Sequence, residues 1–289
     1  MQLPELDERA ADCEPDVRIV LLDPIAVKGK HAVAVDGDVV RITVPEVALF
    51  ESSSGRQIAI ARHFEASDRD IRLFLLGSAF AAILHQRGLL PIHSNAIELH
   101  GRAVAFIGHS GAGKSTMAAW LHDRGHALLS DDVCVIDAQP DGGVLVHRGV
   151  PRLRLWRDSL EASGRSAREE ELMTDQADKY TLRTGAAPVS PDAVPLSHFY
   201  LLNQSEEEGA EPEIRPMTPG QAARALIENT YRGSYVRSLS KVREHLQQCV
   251  DLAQSTPMFE LRRPWNLDRL GELCERVEAH ARSLGGGDL

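Results

Sequence analysis

The first sixty residues alternate between short apolar runs and polar breaks. Between Val17 and about Ala61 the apolar runs are VRIVLL, HAVAV, VVRITV and QIAIA, and the breaks are KGK, DGD and ESSSGR. Short aliphatic runs bounded by glycine and polar clusters are typical of β-strands joined by turns. The pattern predicts a small, mostly antiparallel sheet, preceded by a flexible polar stretch at residues 1–16.

The next segment has the pattern of one buried helix. Apolar residues between Ile71 and Leu84 crowd nearly all round a helical wheel, which is typical of a helix packed between layers. Asp68 is placed to cap its start and Gly88 to end it. We therefore expect residues 17–88 to form a β-rich N-terminal subdomain with one helix.

The middle of the chain has a strand–loop–helix–strand order. Asn95–Leu99 and Ala103–Ile107 are predicted strands on either side of a turn, and the second strand runs into the glycine-rich loop Gly108–Ser115. A helix to about Asp123 and a strand at His126–Ile136 follow. This order opens a nucleotide-binding α/β unit, so the predicted fold class is α/β with a nucleotide-binding core.

The remaining chain is expected to complete that core, taken as residues 89–284. Residues 157–190 are polar with weak periodicity, which favours a long excursion or flap, and residues 285–289 are expected to be a flexible tail. Further strands are predicted at Val144–His147, Leu153–Trp156 and His198–Leu202, and helices at Pro219–Asn229, Ser240–Gln254 and Leu267–Leu284.

Composition narrows the class of protein. The chain has 289 residues, 43% of them hydrophobic, and a formal net charge of −10, so it is long enough for a substantial core and lacks the basic balance of a nucleic-acid-binding protein. Its first residues are acidic rather than apolar, and Leu73–Leu84 is too short to cross a bilayer. The four cysteines are widely spaced, which indicates reduced thiols rather than a zinc site or a disulfide framework. We expect a soluble, cytoplasmic protein without nucleic-acid or membrane partners.

The strongest chemical signal is a phosphate-binding loop (P-loop). The sequence GHSGAGKS at 108–115 matches G-x-x-x-x-G-K-[ST] after a strand and before a helix pattern. Its glycines let backbone N–H groups converge on phosphate oxygens, while Lys114 would reach the β- and γ-phosphates and Ser115 would ligate Mg²⁺. The predicted cofactors are ATP and Mg²⁺. The predicted nucleotide-binding residues are Gly108, His109, Ser110, Gly111, Ala112, Gly113, Lys114, Ser115 and Thr116.

Two readings of the neighbouring residues stay open at this point. GHSGA also approaches the hydrolase elbow G-x-S-x-G, but Ala112 replaces the last glycine and the elbow leaves Lys114 and Ser115 unexplained. Asp131 and Asp132 follow the next predicted strand. They suit Mg²⁺ coordination and activation of an attacking group beside a P-loop, or alternatively they cap backbone amides at the strand end.

Three segments together resemble the HPr kinase/phosphorylase superfamily, whose members phosphorylate a serine of a carrier protein with ATP. They are LPIHSNAIELHGRAVAFIGHSGAGKST, HDRGHALLSDDV and the early His93, and the strong likeness runs from about Gly88 to Asp137. Within the superfamily, the chain most resembles HPr-kinase-like proteins of bacterial peptide-biosynthesis clusters, including lasso-peptide tailoring kinases. The implied fold is the P-loop core of the HPr kinase/PEP carboxykinase type.

The resemblance implies roles for individual residues. Lys114 and Ser115 stand where the family binds phosphate and Mg²⁺, Asp132 where it has the acid/base that takes the serine proton, and His93 where it has an active-site histidine. Catalytic roles are therefore expected for Asp132, His93 and Lys114, and metal binding for Ser115 and Asp131.

The chain also departs from the family pattern. Val144–Gly149 has no acid where HPr kinases carry a glutamate metal ligand, so a second metal and phosphorylase activity are not implied, and His109 replaces a frequent aspartate. The family's later catalytic arginine has no evident counterpart. The candidates for meeting phosphate or an acidic substrate are Arg152, Arg154, Lys179, Arg232 and Arg237, and the Arg152/Arg154 region is the first landing site to examine for an acidic acceptor.

The predicted function is an ATP-dependent kinase that phosphorylates a serine hydroxyl of a peptide or small protein. The alternatives are a kinase for a small-molecule hydroxyl and a nucleotide-binding regulatory ATPase module. A homo-oligomer is compatible with the resemblance, and the acceptor, the base preference and the oligomeric state are not given by the residues.

Overall fold

The computed structural model of the chain forms two compact units. It describes residues 3, 14–150, 152–162, 179–183, 192–205, 210–264 and 266–285. The first unit is formed by residues 1–91 with 231–245, and the second by residues 92–230 with 246–289. A piece of the C-terminal part thus belongs to the N-terminal unit, which the sequence pattern did not suggest.

In chain order the strands are β1 (Arg18–Leu21), β2 (Ala32–Asp36), β3 (Val39–Val44), β4 (Ala48–Ser53), β5 (Gln57–Arg62), β6 (Leu90–Ile92), β7 (Ser94–Leu99), β8 (Arg102–Ile107), β9 (Ala127–Ser130), β10 (Cys134–Ala138), β11 (Val144–His147), β12 (Arg152–Trp156), β13 (Lys179–Arg183), β14 (Ala193–Gln204), β15 (Glu213–Pro216) and β16 (Met258–Arg263). The helices are α1 (Asp68–Phe74), α2 (Phe80–Gln86), α3 (Lys114–Asp123), α4 (Arg157–Ala162), α5 (Pro219–Glu228), α6 (Ser234–Ser238), α7 (Val242–Ser255) and α8 (Leu270–Gly285). A π-helical turn joins α1 to α2, and a 3₁₀ turn precedes α8.

The first unit is built on a five-stranded sheet in the order β1-β5-β4-β3-β2. All neighbours are antiparallel except β1 and β5, which confirms the expected mostly antiparallel sheet. The prediction that ESSSGR is a loop is wrong for its first half, because Glu51–Ser53 continue β4 with alternating burial. The turn needs only the positive-φ residues Ser54 and Gly55 and their neighbour Arg56.

The predicted helix lies on the buried side of this sheet. Ser67 caps it rather than Asp68: the Ser67 hydroxyl accepts a hydrogen bond from the Asp70 amide at 3.1 Å, because a cap residue precedes the first helical residue. Tyr235, from the returning segment, is buried in the same core, which explains why residues 231–245 join this unit.

The second unit contains a mixed sheet in which β8 and β14 are central. From β10 the order is β10-β11-β14-β8-β7-β9, and β16 pairs with β14 and β15. β14 runs parallel to both β8 and β16, while β7 and β8 form the predicted antiparallel hairpin. Helices α3 and α8 pack against this sheet in one apolar cluster. The mixed α/β fold with a loop between β8 and α3 confirms the predicted fold class.

Three strand predictions need correction. The single strand His126–Ile136 is two strands, β9 and β10, because Asp131 to Val133 leave the ladder and Asp132 has φ +80°. The short strand His198–Leu202 is part of the twelve-residue β14, which has a register shift between Leu196 and His198. β16 was not predicted, since its charged residues interrupt the apolar pattern.

The C-terminal helices confirm the helical pattern with small shifts in their bounds. α5 begins with a capping box between Thr218 and Gln221, and α7 begins at Val242 rather than Ser240. The expected excursion at 157–190 contains α4 and β13, and the rest of it lies outside the described residues, as do residues 1–2, 4–13 (with Cys13) and 286–289. Cys134, Cys249 and Cys274 are buried thiols. Among the helices described, none is long and apolar enough to cross a membrane.

Candidate nucleotide and phosphoryl-transfer site

The glycine-rich loop turns at the carboxyl end of β8 and leads directly into α3. Gly108, Gly111 and Gly113 all have positive φ, which L side chains rarely adopt. Gly108 has a second constraint, because a Cβ there would lie 2.9 Å from the carbonyl oxygen of Leu202 on β14. The loop therefore needs glycine for its backbone path and, at Gly108, also for its packing.

The lysine of the loop is curled against the loop itself. Lys114 is buried, and its Nζ donates hydrogen bonds to the carbonyl oxygens of Gly108 at 2.7 Å and His109 at 3.2 Å. The loop is also fastened from outside. The Gly108 amide donates to Asn229 Oδ1 at 3.1 Å, and the Arg263 guanidinium donates to the Ala112 carbonyl at 2.9 Å. These contacts hold the loop and its lysine in one arrangement.

Asp131 accepts hydrogen bonds from three directions. The Ser115 hydroxyl donates to its Oδ1 at 3.0 Å, the Asn95 amide donates to the same oxygen, and the Arg154 backbone amide donates to Oδ2 at 2.5 Å. Burial and, secondly, the negative charge of Asp132 raise the pKa of Asp131 to about 6, while the hydrogen bonds from Arg154 and Ser115 act against that rise. Asp131 thus binds a backbone amide of β12, 23 residues further along the chain rather than in its own turn, and it accepts a hydrogen bond from Ser115.

Asp132 faces the cavity between a histidine and an arginine. Its carboxylate accepts a hydrogen bond from Arg154 Nη1 at 2.5 Å, and His93 Nδ1 lies 3.3 Å from its other oxygen. His93 Nδ1 also lies 2.9 Å from the Asp132 carbonyl oxygen, which fixes the backbone where φ is +80°. A non-glycine residue in this left-handed region stores strain, and the surrounding contacts must maintain it.

A cavity of about 240 Å³ joins these groups. Of the predicted site residues it is lined by His93, Ser110, Gly111, Gly113, Lys114, Ser115, Thr116 and Asp132. Gly108, His109, Ala112 and Asp131 do not line it. Gly108 and His109 instead present carbonyl oxygens to Lys114, and Asp131 lies behind Ser115.

The cavity also contains residues that the motifs did not identify. They are Asn95, Leu155, Trp156, Asp158 and Ser159. Asn95 could have been found from its burial, because it is a fully buried polar residue on β7 and such residues need a partner. Trp156 ends β12 and the predicted strand Leu153–Trp156, whereas Asp158 and Ser159 follow it in a segment whose pattern predicted only an excursion.

Among the basic candidates, Arg154 lies at the site. Arg152 is on the same strand but outside the cavity lining, and Arg232 and Arg237 belong to the first unit. The side chain of Lys179 lies outside the described part of the chain. Arg154, on β12, therefore brings a guanidinium group to Asp132, which comes 22 residues earlier in the chain.

The chemistry of the donors fits Mg²⁺. Mg²⁺ prefers oxygen ligands and is commonly held by one or two protein oxygens together with substrate phosphates and water. The Ser115 hydroxyl and the Asp131 carboxylate supply two such oxygens 3.0 Å apart, and the buried Asn95 Oδ1 beside them has no hydrogen-bond partner among the described residues.

Curated proteins similar to this chain are HPr kinases/phosphorylases. The protein of that name from Treponema pallidum is 32% identical over 110 residues, which is 38% of this chain and 32% of that protein. The one from Chlorobium phaeobacteroides is 30% identical over 104 residues, or 36% of this chain and 30% of that protein. The chain covers about a third of the length of these relatives. The matches confirm the predicted resemblance, without testing its peptide-biosynthesis branch.

No family model matches the chain. Among solved structures, the Hpr(Ser) kinase/phosphatase of Coxiella burnetii aligns with 68% of this chain and 99% of its own, at 15% identity and a TM-score of 0.37.

Proposed function

We propose that this chain, which resembles HPr kinases/phosphorylases over about a third of their length, is an ATP-dependent kinase that transfers the γ-phosphate to a serine hydroxyl of a peptide or small protein. The observation that carries the proposal is the position of Asp132. Its carboxylate lines the same cavity as Lys114 and Ser115, so an acceptor hydroxyl held by Asp132 would face a phosphate held by the P-loop.

Each residue has a role that follows from its contacts. The loop amides and Lys114 bind the triphosphate, and Ser115 with Asp131 holds Mg²⁺, which when bound would neutralise charge on the phosphate oxygens. Asp132 accepts a hydrogen bond from the acceptor hydroxyl and takes its proton as the new O–P bond forms and ADP leaves. His93 holds the backbone of Asp132.

The ion pair with Arg154 is compatible with this role for Asp132. The guanidinium holds one carboxylate oxygen, Oδ2, and the other oxygen faces His93. Phosphoryl transfer passes through a loose transition state in which positioning and charge stabilisation matter more than basicity. Arg154 fixes the orientation of Asp132 and brings positive charge close to the transferred group.

The test is phosphoryl transfer to defined acceptors. The protein is incubated with ATP and Mg²⁺ together with serine-containing peptides, small proteins or small hydroxyl compounds, and the products are read by mass spectrometry. We expect a phosphorylated serine that disappears with EDTA and with Asp132→Asn, while Asp132→Asn still binds ATP.

Asp137→Asn is the matched control, because Asp137 is a carboxylate on β10 that pairs with His147 at 3.0 Å outside the cavity. It should keep full transfer. Absence of a phosphorylated product on every peptide and protein acceptor would refute the proposal. If only small hydroxyl compounds were phosphorylated, the acceptor class would be wrong and the kinase chemistry right.

A further inference from the structure

The cavity has a direction set by the phosphoryl-transfer groups at one end. Asp132, Arg154 and His93 cluster there. In the proposed function, Lys114 binds the β- and γ-phosphates of the triphosphate. A nucleoside triphosphate is linear, with its nucleoside at the opposite end from its γ-phosphate. The nucleoside must therefore leave the P-loop away from Asp132.

The segment after Arg154 leads in that direction. β12 is extended, so Trp156 lies about 6–7 Å beyond Arg154 along the strand, and α4 follows at once. The Ser159 hydroxyl of α4 lies 2.9 Å from the Thr116 hydroxyl in the first turn of α3. The same segment thus passes from the transfer end of the cavity to the residue that follows Ser115 in the P-loop.

The side chains at this second end suit a nucleoside. Trp156 lines the cavity and is 41% exposed, although a large aromatic side chain is normally well buried. An indole face can stack on a nucleobase. Asp158 also lines the cavity, and its carboxylate can accept hydrogen bonds from ribose hydroxyls.

The segment is held in place from its other side. Arg157 donates a hydrogen bond to the Tyr180 hydroxyl at 2.5 Å, and its guanidinium lies 5.3 Å from the centre of the Tyr180 ring. Leu155 and Leu160 are buried in the apolar core that includes α3. Trp156 and Asp158 are therefore presented from an anchored backbone, which lowers the entropic cost of binding.

We propose that Trp156, Asp158 and Ser159 form the nucleoside subsite, with Trp156 stacking on the base and Asp158 binding the ribose hydroxyls. The proposal rests on the nucleotide site of the proposed function and adds the residues that bind the nucleoside. It predicts that this end of the cavity discriminates ATP from a bare triphosphate chain.

The experiment compares the binding of Mg·ATP and Mg·tripolyphosphate by calorimetry. We expect Trp156→Ala to weaken ATP binding about tenfold and to leave tripolyphosphate binding unchanged, while Trp156→Phe keeps most of the ATP affinity. Asp158→Asn should weaken ATP binding but not the binding of 2′,3′-dideoxy-ATP. Phe64→Ala, which removes an exposed aromatic residue of the first unit, is the matched control and should change neither affinity.

Intrinsic tryptophan fluorescence tests the subsite in the wild-type protein and in Trp156→Phe, so it does not require that Trp156→Ala folds. ATP should quench the wild-type protein, tripolyphosphate should not, and the ATP effect should disappear in Trp156→Phe. Unchanged ATP affinity in Trp156→Ala, or a raised KM for the acceptor alone, would overturn the subsite. If the variants weaken ATP binding while no acceptor is phosphorylated, the subsite stands and the kinase proposal fails. If the wild type binds neither ligand, both fail.

Discussion

The ion pair between Arg154 and Asp132 should make the effects of substituting these two residues on the free energy of unfolding strongly interdependent. Their side chains are only 10% and 16% exposed, and Nη1 and Oδ2 are 2.5 Å apart. Taking that distance as the charge separation and an effective dielectric constant of about 20, their attraction is about 7 kcal/mol before desolvation costs are subtracted. Removing one partner leaves a charge partly buried without compensation, which typically costs about 3–5 kcal/mol.

A double-mutant cycle measures the coupling directly. Arg154→Met, Asp132→Asn and the double variant are unfolded in urea at pH 7 without nucleotide and followed by circular dichroism. We expect each single variant to lose about 3 kcal/mol, and the double variant to lose at least about 2 kcal/mol less than the sum of the two.

The exposed pair Arg224–Glu228 on α5 serves as the reference cycle. Its atoms are 2.7 Å apart but its side chains are 80% and 57% exposed, so its coupling should be only about 0.3–0.5 kcal/mol. If the buried pair gives a coupling no larger than this reference, the view that Arg154 holds Asp132 in position is refuted.

Two further predictions test other parts of the second unit. Gly108→Ala should abolish ATP binding, because its Cβ would lie 2.9 Å from the Leu202 carbonyl oxygen. Gly142 also has a positive φ, +89°, but open space around it, so Gly142→Ala should keep the affinity, and equal losses in calorimetry would contradict this. Burial lowers the pKa of His198 to about 3, so its contribution to stability is complete above pH 6.5 and is lost as the pH falls from 6.5 toward 3, on the order of 5 kcal/mol in total. His198→Phe should flatten the decline of Tm over that pH range, and a decline as steep as that of the wild type would exclude His198 as its source.

Local patterns predicted the parts of the site that lie close together in sequence. The P-loop follows from its own spacing of glycine, lysine and serine, and Asp131 and Asp132 were recognised from their place after a strand. In both cases the chemistry needs residues within one turn or one strand end, so the information is local.

The contacts between distant segments could not be predicted in this way. Arg154 was one of five basic candidates, and only the return of β12 beside Asp131 brings it to Asp132. The Gly108 amide is bound by the side chain of Asn229, which comes 121 positions later in the chain. Such partners depend on which strands pair, and several pairings are compatible with the same apolar pattern.

The position of β8 within the sheet has a consequence for how the protein reaches its folded state. One edge of β8 pairs with β7, its immediate neighbour in sequence, but the other edge pairs with β14, which begins more than 80 residues after β8 ends. Non-local pairings form slowly, because the intervening chain loses entropy before any contact is gained. During synthesis the P-loop therefore cannot pack against Leu202 until β14 has left the ribosome. A chain that stops before residue 193 would carry the complete G-x-x-x-x-G-K-S motif without the Leu202 backbone against which Gly108 packs.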